Sequence, residues 1–169
     1  MKTIEEIKLL LLNSDYESLK ESLNDYDINS FDTNGNNILH YYINSNQSVK
    51  IKPELVIDLL VSKGLDINQK QIKGAFKRSP LHISVFIKQQ EITDYLIKLG
   101  ADINSTDLNG NNILMTAISR IKFGENGEYF IKKLIENNAD INQLNNHGRS
   151  AKMSGIENEG NEAIHKYFI

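Results

Sequence analysis

Asp-Ile-Asn stands at residues 27–29, 66–68, 102–104 and 140–142 of this 169-residue chain. The first residues of the four copies are 39, 36 and 38 positions apart. A tripeptide that recurs at a nearly constant spacing of this size is typical of a repeat array rather than of one irregular globule. The recurrence therefore predicts a row of similar structural units.

Each copy of the tripeptide is followed by the same order of predicted elements. A polar turn comes first, Asp32-Thr33-Asn34-Gly35 in one unit and Asp107-Leu108-Asn109-Gly110 in another, and Asn-Gly favours a tight hairpin. A short apolar helix follows, and then a second helix whose apolar residues are three and four positions apart, as in residues 92–99. We expect each tripeptide isoleucine to face the core and its flanking Asp and Asn to hydrogen-bond to the main chain.

Start and stop signals agree with these helices. Gly64, Gly100 and Asn138 directly follow the second helices, where a residue in the left-handed region ends a helix. Thr3-Ile4-Glu5-Glu6 and Ser14-Asp15-Tyr16-Glu17 both fit the Ser/Thr-x-x-Glu capping box. The N-terminal segment is therefore also predicted to be a helix pair.

Two further segments carry a resemblance to a known family. Ser79-Pro80-Leu81-His82 is similar to Thr-Pro-Leu-His, and residues 100–104, Gly-Ala-Asp-Ile-Asn, are similar to Gly-Ala-Asp-Val-Asn, both typical of ankyrin repeats. The chain thus resembles the ankyrin-repeat family over essentially its whole length. The resemblance implies an all-α solenoid of stacked helix pairs joined by β-hairpin-like turns.

The predicted organisation is a single ankyrin-repeat domain over residues 1–169. It consists of an N-terminal capping helix pair at 1–29, repeats at 30–68, 69–104 and 105–142, and a C-terminal capping repeat at 143–169. In the last unit Lys152 takes a position that is normally a buried leucine, which suits a terminal repeat with one wetter face.

Composition excludes several classes of function. The chain has no cysteine, so thiolate metal sites, iron–sulfur clusters and cysteine nucleophiles are excluded. Its formal net charge of −3 disfavours a globally basic nucleic-acid binder. Without a secretory signal or a run of about 20 apolar residues, we expect a cytoplasmic protein without membrane contact. Lysines outnumber arginines 16 to 3, a bias that fits AT-rich coding and carries no functional weight by itself.

Catalytic and metal-binding motifs are also missing from the sequence. His40 and His82 occupy the same position in successive repeats, which favours structural imidazoles bonding the neighbouring hairpin over general bases. The segments that begin at Asp32 and Asp107 superficially resemble calcium loops but lack the glycine at position six and the glutamate at position twelve. We therefore predict a non-enzymatic protein with no catalytic residues, no cofactor and no metal.

The resemblance implies that the protein binds a protein partner through its hairpin tips and the concave face of its first helices. The hairpin at 69–78 is three residues longer than its equivalents and holds four cations, one phenylalanine and no acid. Such a tip suits an acidic protein surface, although a solvated loop with Phe76 folded back is an equal alternative. Mapped by position, the predicted partner-binding residues are Phe31, Thr33, Asn36, Lys70, Lys73, Phe76, Lys77, Arg78, Phe86, Ile87, Leu108, Asn111 and Arg120.

Charge along the chain is segregated in a way that fits this interpretation. Residues 1–40 carry 3 cations and 8 anions, residues 41–100 carry 9 and 5, and residues 101–169 carry 7 and 9. A basic middle between acidic ends would steer an acidic partner into register, although ordinary surface charge that keeps the chain soluble explains the pattern as well.

Several functions remain open from the sequence. A small stand-alone ankyrin protein of AT-rich composition fits a bacterial source, and some bacterial relatives neutralise a toxin encoded alongside them, so one hypothesis is an immunity or inhibitor protein. The alternatives are an effector or scaffold with several partners and, against the net charge, nucleic-acid binding through the basic 69–78 loop. We expect the free protein to be monomeric and to take no small-molecule substrate.

Overall fold

The computed structural model describes residues 1–13, 15–45, 48–121, 127–157 and 162–169. These residues form nine α-helices and two short 3-10 helices, and they contain no β-strand beyond isolated bridges. The α-helices are α1 Ile4–Asn13, α2 Tyr16–Ser22, α3 Ile38–Ser45, α4 Pro53–Ser62, α5 Pro80–Phe86, α6 Gln90–Lys98, α7 Ile113–Arg120, α8 Gly127–Glu136 and α9 Ala151–Ile156. The 3-10 helices are Leu23–Asp25 and Glu162–Tyr167.

The helices stack in two parallel rows. In the first row each of α1, α3, α5, α7 and α9 packs on the next, and in the second row α2 packs on α4 and α4 on α6. The two helices of a unit pack against one another in the pairs α1–α2, α5–α6 and α7–α8, and the 3-10 helix at 162–167 contacts both α8 and α9. The prediction of an all-α repeat solenoid is confirmed, while the unit boundaries stay a prediction.

The core lies between the two rows and repeats from unit to unit. Leu39, Leu81 and Leu114 occupy the same position of α3, α5 and α7, and each is at most 1% exposed. The second helices contribute fully buried residues such as Ile57 and Ile92. Since no helix pair can bury its apolar face alone, stability comes from stacking. Lys152, at the equivalent position of α9, is exposed, as expected for a terminal unit.

The helix caps follow the sequence signals with one correction. Thr3 and Glu6 form the predicted capping box, with Glu6 N donating to Thr3 Oγ1 at 3.3 Å and Thr3 N donating to Glu6 Oε2 at 2.7 Å. The box predicted from Ser14 is wrong for α2, because Asp15 is the N-cap and accepts from Ser18 N at 2.9 Å. Ser14 itself lies outside the described residues. An aspartate competes well for an N-cap, so a shift of one residue costs little.

The tripeptide repeats link one unit to the next. Each Asp accepts from the N–H of the Asn two positions later, as in Asn68 N to Asp66 Oδ1 at 2.8 Å. Asn68 Oδ1 also accepts from Asp102 N of the following unit, and Asn104 Oδ1 accepts in the same way from Asp140 N. The predicted local bonding is confirmed for the aspartates, whereas the side chains of Asn68 and Asn104 bond to the main chain of the next unit, which was not predicted.

The hairpin tips form a hydrogen-bonded row of their own. Asp32 Oδ1 accepts from two backbone N–H groups of its own turn, and Asp107 Oδ1 does the same. Neighbouring tips are joined by Ile72 N to Gly35 O at 3.0 Å and by Leu108 N to Phe76 O at 2.8 Å. The tips are therefore held at fixed positions relative to one another.

Replacing Gly35 with alanine is expected to cost more stability than the same change at Gly64. Both residues have positive φ, 81° and 93°, so an alanine is strained at either position. A Cβ at Gly35 would also collide with the backbone N of Lys73, whereas at Gly64 it would meet nothing within 4 Å. We expect Gly64→Ala to lower the free energy of unfolding by about 1 kcal/mol and Gly35→Ala by at least about 1 kcal/mol more. Urea unfolding of the two variants measures the difference, and equal losses would contradict the tip packing.

The two repeated histidines are buried and neutral. His40 Nδ1 accepts from Asn37 N at 3.0 Å, and His82 Nε2 lies 2.7 Å from Thr116 Oγ1. The His82 bond thus reaches the next first helix rather than a neighbouring hairpin, which corrects the expected partner. The His40 imidazole bonds the start of its own helix and the His82 imidazole bonds α7, and both are buried, which supports a structural role over catalysis.

Acid is expected to destabilise the fold through these two side chains. Burial lowers the pKa of His40 from 6.5 to about 4, and burial together with the charges of Arg78 and Lys70 lowers the pKa of His82 to about 3. The unfolded chain takes up these protons near pH 6.5 and the folded chain does not. The stabilisation is therefore complete above pH 6.5 and is lost as the pH falls towards 4 and 3.

The expected slope is about 1.4 kcal/mol of unfolding free energy per pH unit for each imidazole. Urea unfolding at pH 7 and pH 5 measures it, and a double variant His40→Gln, His82→Gln is the control in which the slope should shrink. An equal midpoint for the unmodified protein at both pH values would show that the imidazoles are not buried as described.

Candidate partner-binding surface

Four of the predicted partner-binding residues come together in one stack. The Arg78 guanidinium carbon lies 4.3 Å from the centre of the Phe76 ring and 4.0 Å from that of Phe86. The guanidinium carbon of Arg120 lies 4.5 Å from the centre of the Phe86 ring. We call Phe76, Arg78, Phe86 and Arg120 the arginine–aromatic stack. It joins the long hairpin, the end of α5 and the end of α7.

Local geometry places Arg78 in this stack. The long hairpin closes on itself, because Gln71 N donates to Arg78 O and Arg78 N donates to Gln71 Oε1, both at 3.1 Å. Ser79 then caps α5 by accepting from His82 N, and Pro80 takes the first helical position. The backbone of Arg78 is thereby fixed on both sides, and its side chain is directed over α5.

The stack brings positive charges close enough to affect one another. Burial lowers the pKa of Arg78; Asp107 opposes this shift, and the nearby charge of Arg120 adds to it. Arg78 Nε is buried, and none of the described residues supplies a hydrogen-bond acceptor for it. Burial and the charge of Arg120 also lower the pKa of Lys88. The charge of Arg120 thus acts on both other cations, and an anion close to Arg78 would be attracted to this positive surface.

A groove opens beside the stack on the first-helix side of the units at 69–169. Its volume is about 620 Å³. Phe76 and Arg78 lie on its wall, and Arg149 and Glu157 of the last unit lie on it as well. Its lining residues are Phe76, Arg78, Asp107, Asn111, Met115, Thr116, Ile118, Ser119, Asn145, Arg149, Ser154 and Glu157. We call this the arginine groove.

All three arginines of the chain belong to this surface. Arg78 and Arg120 are in the stack, and Arg78 and Arg149 line the arginine groove. The chain has 16 lysines but only three arginines. Arginine is the residue type whose planar guanidinium group both stacks on rings and binds a carboxylate by two parallel hydrogen bonds, and here it occurs on this surface alone. This placement, unlike the ratio itself, points to recognition of an anion.

Several other predicted residues hold the hairpin tips together. Lys70 Nζ donates to Thr106 O at 2.6 Å and Lys73 Nζ donates to Thr33 O at 3.2 Å. Asn36 Oδ1 accepts from Gln71 Nε2, and Asn111 Oδ1 accepts from Asn145 Nδ2. These contacts support the shape of the surface whether or not the side chains also touch a partner.

The remaining predicted residues are spread around the stack. Thr33 and Leu108 are exposed at hairpin tips, and the exposed fraction of Leu108 is 50%. Phe31, Lys77 and Ile87 are partly buried, and Ile87 packs against the core. Phe76 is 42% exposed, so its ring lies on Arg78 without being folded into the repeat.

The sequence analysis missed the contribution of the last unit. Arg149, Ser154 and Glu157 line the arginine groove, although the last unit was interpreted only as a cap. The scarcity of arginine was the available signal, since each of the three positions falls just before or at the end of a first helix. A cluster of ligands suitable for a metal is absent from the described ranges. None of the helices in those ranges is long and apolar enough to cross a membrane.

Comparison with protein families gives a match over most of the chain. A family model described as ankyrin repeats, in three copies, matches residues 7–107 and 49–143, which together make up most of the chain. A search of the curated proteins finds no match.

Proposed function

Because the chain belongs to the ankyrin-repeat family, whose arrays are protein–protein interaction modules, we propose that it binds one acidic protein partner. The proposed contact surface is the arginine–aromatic stack with the adjoining hairpin tips, centred on residues 69–87. The single observation that carries the proposal is the stack itself, in which Phe86 supports the guanidinium groups of both Arg78 and Arg120.

Such a stack has the properties of an interaction hot spot. Aromatic and arginine side chains dominate the binding energy of protein interfaces. The Phe76 and Phe86 rings lie against the guanidinium group of Arg78, so a planar acceptor would approach this group at its edge. A carboxylate fits this edge better than a neutral group does. The net positive charge of residues 41–100 would steer an acidic partner towards it.

Our proposal includes a non-enzymatic role. The repeated histidines are neutral and engaged in packing, and ankyrin-repeat proteins are generally binding modules without catalysis. We further propose a cytoplasmic protein, monomeric when free, whose more specific role is that of an immunity or inhibitor protein neutralising a toxin. An effector or scaffold with several partners is the alternative.

Affinity capture from the source cells tests this proposal. The bait proteins are the unmodified chain, a variant Arg78→Glu, Arg120→Glu, and a control variant Lys98→Glu, Lys132→Glu. The control makes the same change in net charge on the second helices α6 and α8, with two lysines that are not among the residues of the stack or of the groove lining. All baits are first shown to be folded by circular dichroism.

We expect one protein to be captured by the unmodified chain and the control and lost by the arginine variant. Equal capture by all three baits would contradict the proposed surface. A single tight partner whose activity is blocked supports the inhibitor role, whereas several weaker partners support the scaffold. Recovery of nucleic acid with an affinity that falls steeply with salt would favour binding through the 69–78 loop instead.

A further inference from the structure

The arginine groove already holds one carboxylate of the protein itself. Arg149 Nη2 donates to Glu157 Oε2 at 2.6 Å, and both side chains line the groove. The two side chains are 44% and 58% exposed, so the pair is accessible from solvent. Glu157 thus forms an ion pair with Arg149 on the surface where an acidic partner is proposed to bind.

Arg78 offers a second binding position in the same groove. The Phe76 and Phe86 rings lie 4.3 and 4.0 Å from its guanidinium carbon, so the rings shield the group and a ligand would approach it at the edge. None of the ion pairs formed among the described residues involves Arg78. A stacked guanidinium with a free edge is preorganised for a carboxylate, since little side-chain freedom remains to be lost on binding.

The other acidic side chain of the groove is not available as a competitor. Asp107 is 7% exposed, and its Oδ1 accepts from Asn109 N and Asn111 N at 2.8 and 3.0 Å. Its Oδ2 accepts from Asn111 Nδ2. The Asp107 carboxylate is therefore engaged in its own turn, which leaves Glu157 as the exposed acid of the groove.

We propose that the arginine groove is the subsite for acidic side chains of the partner, and that Glu157 is an internal competitor which the partner displaces. One partner carboxylate binds the edge of Arg78 and a second takes the place of Glu157 on Arg149. The inference rests on the proposed function. It adds that the bound segment of the partner is acidic and that Glu157 lowers the affinity for this segment.

Arginine side-chain NMR signals make the test specific. The chain has three arginines, so a ¹H–¹⁵N spectrum of the Nε–Hε groups contains at most three such signals. Variants in which one arginine is replaced with lysine assign each signal. The probe is an acetylated and amidated hexaglutamate peptide, and hexaglutamine of the same length is the control. We expect hexaglutamate to shift the signals of Arg78 and Arg149 and hexaglutamine to shift neither. Absence of shifts at both arginines would overturn the subsite.

Glu157→Gln tests the internal competition. Removing this carboxylate frees Arg149, and we expect hexaglutamate to bind about threefold more tightly, in line with the modest strength of an exposed ion pair. The matched control is Glu136→Gln, which also removes one charge and breaks an exposed pair, with Lys132 on α8. Equal gains in the two variants would show a general charge effect and overturn the competition.

Failure of this inference can be told apart from failure of the proposed function. Peptide titration tests the groove without any partner, and affinity capture tests the whole surface. If the Arg78→Glu, Arg120→Glu bait loses the partner but hexaglutamate shifts no arginine signal, only the subsite is contradicted. If hexaglutamate binds but the arginine variant captures the partner as well as the unmodified chain does, the proposed contact surface is contradicted.

Discussion

Arg78→Ala is expected to cause the largest loss of partner affinity of any single substitution, about 30-fold or more, as for a central interface hot spot. The side chain stacks on two rings and its edge lines the arginine groove, so its removal deletes both a binding group and the support of Phe76 and Phe86. The expected effect on folding is small, since Arg78 is only partly buried. Calorimetric titration with the captured partner measures the loss.

Lys98→Ala is the matched control for Arg78→Ala. Lys98 is also a cation over an aromatic ring, with Nζ 5.5 Å from the centre of the Tyr95 ring, but it lies on α6 in the second row. We expect its removal to leave the affinity unchanged within about twofold, as for a residue outside the interface. Losses of similar size in both variants would place the partner elsewhere on the array.

Leu114→Ala is expected to cause the largest loss of stability, about 2–5 kcal/mol of unfolding free energy. Leu114 is fully buried on α7, between the neighbouring first helices α5 and α9. The cavity would weaken the stacking on both sides, and stacking is what stabilises a repeat array. Urea unfolding followed by circular dichroism measures the change.

Leu108→Ala provides the comparison within the same unit. This leucine is 50% exposed at the hairpin tip, so we expect a stability loss of no more than about 0.5 kcal/mol. Leu108 is also a predicted contact residue, so the variant separates the contribution of this unit to partner binding from its contribution to stability. Partner binding can weaken in Leu108→Ala while folding is retained. Similar stability losses for both leucines would contradict the described core.

Local sequence signals were sufficient for the fold. The Asp-Ile-Asn spacing predicted the units, and helix-ending residues such as Gly100 and Asn138 do have positive φ, at 83° and 65°. These features are determined by neighbours within a few residues, so the chain shows them directly. The N-cap of α2 was misplaced by one residue because Ser14 and Asp15 are both good caps.

The candidate site could be predicted only in part. Position within the repeat predicted Phe76, Arg78, Phe86 and Arg120 as contact residues, and the structure brings these four side chains together in one stack. Position could not show that Lys70 and Lys73 donate to backbone carbonyls of adjacent tips, because those contacts span 36 and 40 residues.

The pair Arg149–Glu157 was missed for a related reason. It lines the groove only because the last unit stacks on α7, and no local motif marks it. Long-range packing of this kind follows from the array and not from any single segment.

The affinity of the captured partner for a variant Arg78→Lys, Arg120→Lys, Arg149→Lys tests the central claim most directly. This variant keeps the net charge of −3 and removes only the planar, stacking, doubly donating groups. We predict an affinity at least about tenfold weaker, because each lost charge-assisted hydrogen bond is costly. An unchanged dissociation constant, with the fold intact, would contradict recognition by the three arginines.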